Sequence, residues 1–265
     1  MSWSSLAPML GGLLPLLPLG LLAGVLSGLL GIGGGLIFSP LLLLLGLEPH
    51  QALATSTLAI VPTTAGGTWS HLRSNRLPWR PAMVIALLAA CSGALFSHRG
   101  NDLSAPILLG LQSLMYLVLV FTISPRPAAA LDELPPDPSL PGLAVVGSVA
   151  GLATGLLGVG GGLVMVPLMV RFLQIPIQLA IRLSTLAVLA SASVASGQFL
   201  ADGRGQLVIA LVLGATAAFG ARWSASRLDR VPERWLIVLL RALSLLLALD
   251  SGRRALALML AGAAI

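Results

Sequence analysis

Two glycine triplets, Gly33-Gly34-Gly35 and Gly160-Gly161-Gly162, stand 127 residues apart in apolar sequence. Each belongs to a longer motif: Gly28-Leu-Leu-Gly-Ile-Gly-Gly-Gly-Leu-Ile37 returns as Gly155-Leu-Leu-Gly-Val-Gly-Gly-Gly-Leu-Val164, with Pro40 and Pro167 at matching spacing. A glycine triplet breaks a helix, and the segment after it starts a new one. The first N–H groups of that new helix lack intrahelical partners, and with the helix dipole they favour an anion. Broken backbone at membrane depth is tolerated only where protein buries it or a cavity hydrates it. Two such breaks in two halves of an apolar chain are a transporter pattern. The alternative is that the glycines only let helices pack closely. A nucleotide fingerprint is excluded, because the spacing is not G-x-G-x-x-G and no strand precedes it.

Hydroxyls follow each motif. Thr55, Ser56, Thr57, Thr63 and Thr64 fall on the next helix of the first half, and Ser184, Thr185, Ser191, Ser193 and Ser196 on its counterpart. Uncharged donors can hold an oxyanion without the desolvation cost of buried charge. They can equally bond back to their own helix carbonyls. Ser56, Thr57, Ser184 and Thr185 recur between the halves and are the better candidates. Arg182 lies a few residues into an apolar run beside Ser184. It is either the counter-charge of an anionic substrate or a side chain that snorkels to the interface. The substrate-binding set is therefore Gly33, Gly34, Gly35, Ser56, Thr57, Gly160, Gly161, Gly162, Arg182, Ser184 and Thr185.

The elements that must carry these groups are membrane helices. Hydrophobic residues make up 57% of the chain and charged residues 9%, against about 25% charge in a soluble domain, so the bilayer is the solvent. Apolar segments run at about 9–30, 35–47, 51–70, 82–97 and 104–124, then at about 142–159, 163–174, 178–199, 206–222 and 235–250, with a short final run at 255–265. The chain reads as one all-α polytopic domain. Repeat one spans about 9–124, a Pro-rich linker about 125–141, and repeat two about 142–265. Pro49-x-Gln51 matches Pro176-x-Gln178, and Ser-Thr-Leu-Ala at 56–59 matches 184–187 after a one-residue insertion. If the short segments 35–47 and 163–174 cross, each half has five crossings and the halves are inverted. If they are re-entrant, the halves run parallel. Arg73, Arg76 and Arg80 in one loop, with Arg222, Arg227, Arg230 and Arg234 in another, favour inversion, since basic loops stay cytoplasmic.

Other groups read as structural. Cys91 is a small packing residue, and one cysteine excludes an internal disulfide. His71 and His98 sit at expected interfaces, Trp69, Trp79, Trp223 and Trp235 form an aromatic belt, and Gln112 and Gln198 are polar liners or interhelical bonding groups. Arg241 has a structural role, with Asp250 or loop charges as partners. All nine carboxylates, Asp250 included, fall in loops or at helix ends. No hydrolytic or metal motif occurs, and the chain is read as no enzyme, with no catalytic residue, metal or cofactor. The net charge of +6 comes from fifteen scattered arginines and no lysine, which is no nucleic-acid patch. A core without carboxylates suits an anion better than a cation.

At Gly24-x-x-x-Gly28-Leu-Leu-Gly-Ile-Gly-Gly-Gly-Leu-Ile-x-x-Pro40, its copy from Gly151 to Pro167, the Ser-Thr helix after each and the Arg-containing turn at 73–80, the chain resembles the TauE/SafE sulfite exporters, also called the toluenesulfonate uptake permease family. The resemblance implies a bacterial inner-membrane permease for sulfur-containing anions such as sulfite or organosulfonates. It does not choose among them. Arg182 departs from the chain's own first repeat, which has Ala54 or Thr55 there. The expectation is export by alternating access, its partners a small anion and the bilayer, with a homo-oligomer left open. Uptake of a related anion and a non-transporting membrane scaffold are the alternatives.

Overall fold

A backbone surrounded by lipid must satisfy its own hydrogen bonds, and helices do so within one segment. The computed structural model describes residues 15–74, 77–99, 103–122, 139–158 and 160–263, and among these no residue is in a strand. The helices are α1 (Leu16–Leu30), α2 (Gly35–Leu44), α3 (Pro49–Arg73), α4 (Trp79–Arg99), α5 (Ala105–Thr122), α6 (Leu140–Leu157), α7 (Gly162–Phe172), α8 (Ile177–Ala201), α9 (Leu207–Ala225) and α10 (Glu233–Ala263). Six of them, α4, α5, α6, α8, α9 and α10, are long and apolar enough to cross a membrane. Helix α3 equals α8 at 25 residues, about 37 Å, but carries more hydroxyls. Helices α2 and α7, of 10 and 11 residues, reach only about half of a ~30 Å hydrocarbon layer.

Large apolar side chains cover the outside, among them Leu22, Leu95, Phe121, Phe219, Leu246 and Leu260, while Thr55, Ser56, Thr57, Thr63 and Ser184 are fully buried. This polarity is that of a protein dissolved in lipid. Helix α1 packs along α9, and α6 along α4; α9 also lies on α3, α4 on α8, α10 on α5, and α3 crosses α8. Both close pairs run on small residues. A Cβ on Gly24 would stand 2.0 Å from Ala217 O, and one on Gly151 2.2 Å from Ala89 O. Without hydrophobic drive between helices in lipid, such close approach is what holds them.

Two glycine breaks separate α1 from α2 and α6 from α7. Gly31 and Gly33 have φ of 68° and 77°, and Gly158 and Gly160 have 62° and 71°, a left-handed backbone that glycine adopts without penalty. Hydroxyls from the other half of the sequence brace the chain there. Ser184 Oγ donates to Gly31 O at 2.9 Å. Ser56 Oγ lies 3.4 Å from Gly158 O and 3.2 Å from Gly35 O.

Four expectations change. The run at 255–265 does not stand apart, because α10 continues through it to Ala263. Asp250 is therefore mid-helix, and it pairs with Arg253 and Arg254 at 3.1 and 2.8 Å; neighbours three and four residues apart neutralise one another on one face, so the helix needs no break. Cys91 is exposed on α4 and does not pack inside. The expected linker loses its end to α6, whose first turn holds Pro141 and is capped by Ser139, whose Oγ accepts from Gly142 N at 3.2 Å. Residues 125–138 of that linker, with 123–124 and 9–14 of the expected first repeat, lie outside the described residues.

Two stability outcomes follow. Gly24→Ala is expected to cost about 1–3 kcal/mol by overpacking, whereas Gly110→Ala, whose Cβ meets nothing within 4 Å, is neutral or better. Ser184→Ala should cost about 1 kcal/mol. Ser193→Ala should stay within about 0.5 kcal/mol, because Ser193 is exposed and bonds only to Leu189 O of its own helix. Unfolding of each variant in detergent micelles measures both comparisons.

Candidate functional site

The expected site residues divide between two places. The first is the meeting point of the glycine breaks. A Cβ on Gly162 would stand 2.1 Å from Gly31 O, one on Gly160 2.9 Å from Ile32 O, and one on Gly33 2.7 Å from Val188 and 2.9 Å from Ile60. The breaks therefore touch backbone to backbone, with Ile60 of α3 and Val188 of α8 closing over them. Gly33, Gly34, Gly35, Gly160, Gly161 and Gly162 are all buried. The ladder of α2 begins where Ile37 and Phe38 N–H donate to Gly34 O at 3.0 and 3.1 Å, and that of α7 where Val164 and Met165 N–H donate to Gly161 O at 3.1 and 2.9 Å. The two copies differ in detail: Gly34 is left-handed with φ of 81° while Gly161 is right-handed with φ of −58°, and Gly161 N–H donates to Thr154 Oγ1 at 2.7 Å.

Beside this centre the recurring hydroxyls are occupied as donors. Thr57 Oγ1 donates to Leu53 O at 2.9 Å and Thr185 Oγ1 to Ile181 O at 2.7 Å, each on its own helix. Thr63 and Thr64 do the same toward Ala59 O and Ile60 O. Ser56 and Ser184 serve the breaks. Their oxygens keep lone pairs, while their protons already have carbonyl acceptors.

The second place holds Arg182. A cavity of about 910 Å³ opens where the end of α3 meets the beginning of α8. Its walls include Ser70, His71 and Arg73 of α3, Phe219, Arg222 and Trp223 of α9, Leu21 and Val25 of α1, and Asp229 of a 3₁₀ turn at Leu228–Arg230. Arg182 is 8% exposed. It does not snorkel, because the Asp229 carboxylate folds back to pair with it. Its Nε is buried without a hydrogen-bond partner, and so is His71 Nε2. His71, in the last turn of α3, is 2% exposed, so its ring is buried in the cavity wall. Three arginines (Arg73, Arg182 and Arg222) face one carboxylate in this cavity, so its field is positive and can hold an anion. The cation–π contacts Arg73–Trp69 and Arg227–Trp223, at 5.8 and 4.1 Å, suit residues at a membrane interface.

The matching place at the other end of α3 and α8 is filled. There Ala54 stands where Arg182 does, and Phe199 where His71 does. Phe199 packs on Ala54 and Ala195, and the Arg204 guanidinium lies 4.7 Å over its ring. Only about 10 Å³ remains among these residues, His50, Leu53 and Gly158.

Sequence reasoning missed His71 and Asp229 as site residues. Asp229 lies 47 residues from Arg182, and its one sequence signal is being the lone carboxylate within the arginine cluster at 222–230. Gln112 bonds Tyr116 Oη at 2.9 Å within α5, away from both places. Among the described residues no group of three or more His, Cys, Asp or Glu could hold a metal.

Comparison with known proteins accords with this architecture. The sequence model of the family described as sulfite exporter TauE/SafE matches residues 16–251. A probable membrane transporter protein of Bacillus subtilis (strain 168), YunE, is 25% identical over 258 residues, covering 88% of this chain and 94% of that protein. A probable membrane transporter protein of Xylella fastidiosa (strain 9a5c) is 30% identical over 63% of this chain and 66% of its own length. Sulfite exporter TauE/SafE family protein 3 of Arabidopsis thaliana is 33% identical over 39% of this chain and 21% of its own. The chain, a multi-pass helical membrane protein, therefore belongs to the TauE/SafE sulfite exporter family of membrane transporters.

Proposed function

We propose that the protein is a permease for small sulfur-containing anions, sulfite or an organosulfonate, that exports them by alternating access across a bacterial inner membrane. One observation carries this reading: an arginine-lined cavity is open at one end of the α3–α8 pair while its counterpart at the other end is filled. A permease caught facing one side has this asymmetry.

The two halves, about 9–124 and 142–265, are proposed as inverted repeats. In support, the C-terminal end of α3 and the N-terminal end of α8 share one cavity, so these equivalent helices run oppositely. The fourth helix of each half packs on the first and third of the other, an exchange that suits a twofold relation. Arg73, Arg222, Arg227 and Arg230 gather at the open end, and basic loops stay inside; the cavity then faces the cytoplasm. In this scheme the anion meets Arg182 first. It crosses the centre when the breaks part, exposing the first N–H groups of α2 and α7 with Ser56, Thr57, Ser184 and Thr185 around them. Each negative charge that leaves a negative-inside cell gains about 2.3 kcal/mol per 100 mV, so export needs no buried carboxylate relay.

Proteoliposomes loaded with sulfite test this. Saturable efflux is expected, faster when the potential is negative on the cavity side and slower when it is reversed. Gly34→Leu and Gly161→Leu, compared as folded and monodisperse proteins, should lower the rate at least tenfold; undiminished flux in both would remove the glycine centre from the path. A wild-type chain that folds and carries no anion would be a membrane scaffold in which the glycines serve packing alone.

A further inference from the structure

Arg182 and Asp229 pose a problem that ordinary ion pairing does not solve. The Arg182 side chain is 10% exposed and that of Asp229 is 44% exposed. The guanidinium is therefore taken out of water while its counter-ion stays half in it. An arginine offers a planar fork, Nε with Nη, that matches two oxygens of one oxyanion. Asp229 Oδ1 pairs with Nη2, while Nε is buried without a hydrogen-bond partner. A second buried nitrogen without a partner, His71 Nε2, belongs to the same cavity wall. A buried polar nitrogen without a partner has lost its hydration with nothing in return, so two in one wall need a reason.

We propose that Asp229 is a tethered stand-in for the transported anion: it occupies Arg182 while the cavity is empty, and a substrate oxyanion displaces it. The incoming group, pyramidal or tetrahedral with three oxygens, takes Nη2 and Nε of Arg182 as a fork and accepts a third bond from His71 Nε2. Asp229 has a carrier that can yield. It sits on a single 3₁₀ turn, Leu228–Arg230, between α9 and α10, with Leu228 as the buried anchor of that turn. Asp229 lines the cavity and its side chain is 44% exposed, so the released carboxylate has water within reach. The exchange keeps the Arg182 charge compensated in both conditions, which matters because a buried charge stripped of its partner is strongly destabilising. It also holds the affinity down, since every binding event must first break an ion pair. A permease benefits, because a substrate held too tightly does not leave. At the closed end Ala54 and Phe199 take the places of Arg182 and His71, and the arginine there, Arg204, lies over the Phe199 ring and pairs with Asp202 two residues away.

This inference rests on the anion-permease reading, and its test separates the two. The probe is sulfite, with methanesulfonate to ask whether the same fork accepts a sulfonate and chloride to measure screening alone. Each is titrated into the purified full-length protein in detergent, and the rise in Tm is read as binding, since a ligand specific to the folded state stabilises it by mass action. Asp229→Asn is expected to start with a lower Tm and to bind sulfite at least tenfold more tightly, so that saturating sulfite returns its Tm to the wild-type value. Arg182→Lys keeps the charge and a partner for Asp229 but loses the fork, and should bind sulfite about tenfold more weakly. Should Asp229→Asn fail to fold without ligand, its recovery on adding sulfite, and not chloride, during purification is the expected result. Unchanged or weaker sulfite binding in a folded Asp229→Asn would overturn the displacement, as would wild-type affinity in Arg182→Lys or an Asp229→Asn that no anion recovers. If the wild type carries sulfite in liposomes yet Asp229 leaves binding unchanged, the stand-in fails and the permease reading survives. If the wild type neither binds nor carries any of these anions, the permease reading itself falls.

Discussion

Backbone that leaves the helical path inside a bilayer has no water to turn to, and the structure is organised around meeting that demand twice at one point. The chain breaks at Gly31–Gly34 and again at Gly158–Gly161. Each break is buried against the other, with a Cβ on Gly162 only 2.1 Å from Gly31 O. The exposed carbonyls take hydroxyl protons from the opposite half of the sequence, through Ser184 and Ser56. Neither break is self-sufficient. The contact of α3 with α8, the seating of α9 on α3 and of α4 on α8, and the glycine-faced pairs α1–α9 and α4–α6 all bring the two breaks to the same place. This is the membrane rule for irregular backbone, met by protein and not by solvent.

A centre built in this way has a consequence for transport. Closed, it presents Ile60 and Val188 over glycine backbone, and the hydroxyl protons of Ser56, Thr57, Ser184 and Thr185 already have carbonyl acceptors. In the proposed path, an anion would meet the helix starts at Gly35 and Gly162 only when the halves part. The charge that can attract an anion in the closed arrangement lies away from the centre, in the cavity of Arg182. The proposed path thus has two stages with different physics: capture by a desolvated guanidinium and passage by backbone dipoles.

Much of this was legible in the sequence. Composition dictates helices in lipid, since a chain with so few charges has no way to cover a watery surface. The duplication is plain in Gly28–Ile37 and Gly155–Val164, and the break positions follow from it. The hydroxyl helices were placed correctly as α3 and α8. What misled was local reading of single polar residues. His71 beside an arginine turn reads as an interfacial residue and no more, yet its ring is buried in the wall of the Arg182 cavity. Asp250 beside two arginines reads as a loop, yet i,i+3 and i,i+4 pairing lets α10 run through it. Cys91 in an apolar run reads as packed, yet in lipid an apolar run covers the outside as readily as the inside.

The sequence by itself determined the solvent, the helical class and the two glycine breaks, because each depends on composition or on residues adjacent in the chain. The tertiary structure alone decided which donors are spent and which are free. Ser184 reaches Gly31 across 153 residues and Asp229 reaches Arg182 across 47, and no spacing encodes either meeting. It also decided that Arg182 and the glycines occupy different places, and that one end of the α3–α8 pair is open while the other is filled by Phe199. The physical reason is that a broken helix in lipid can be completed only by another part of the protein. The partner that completes it is known only once the helices are packed.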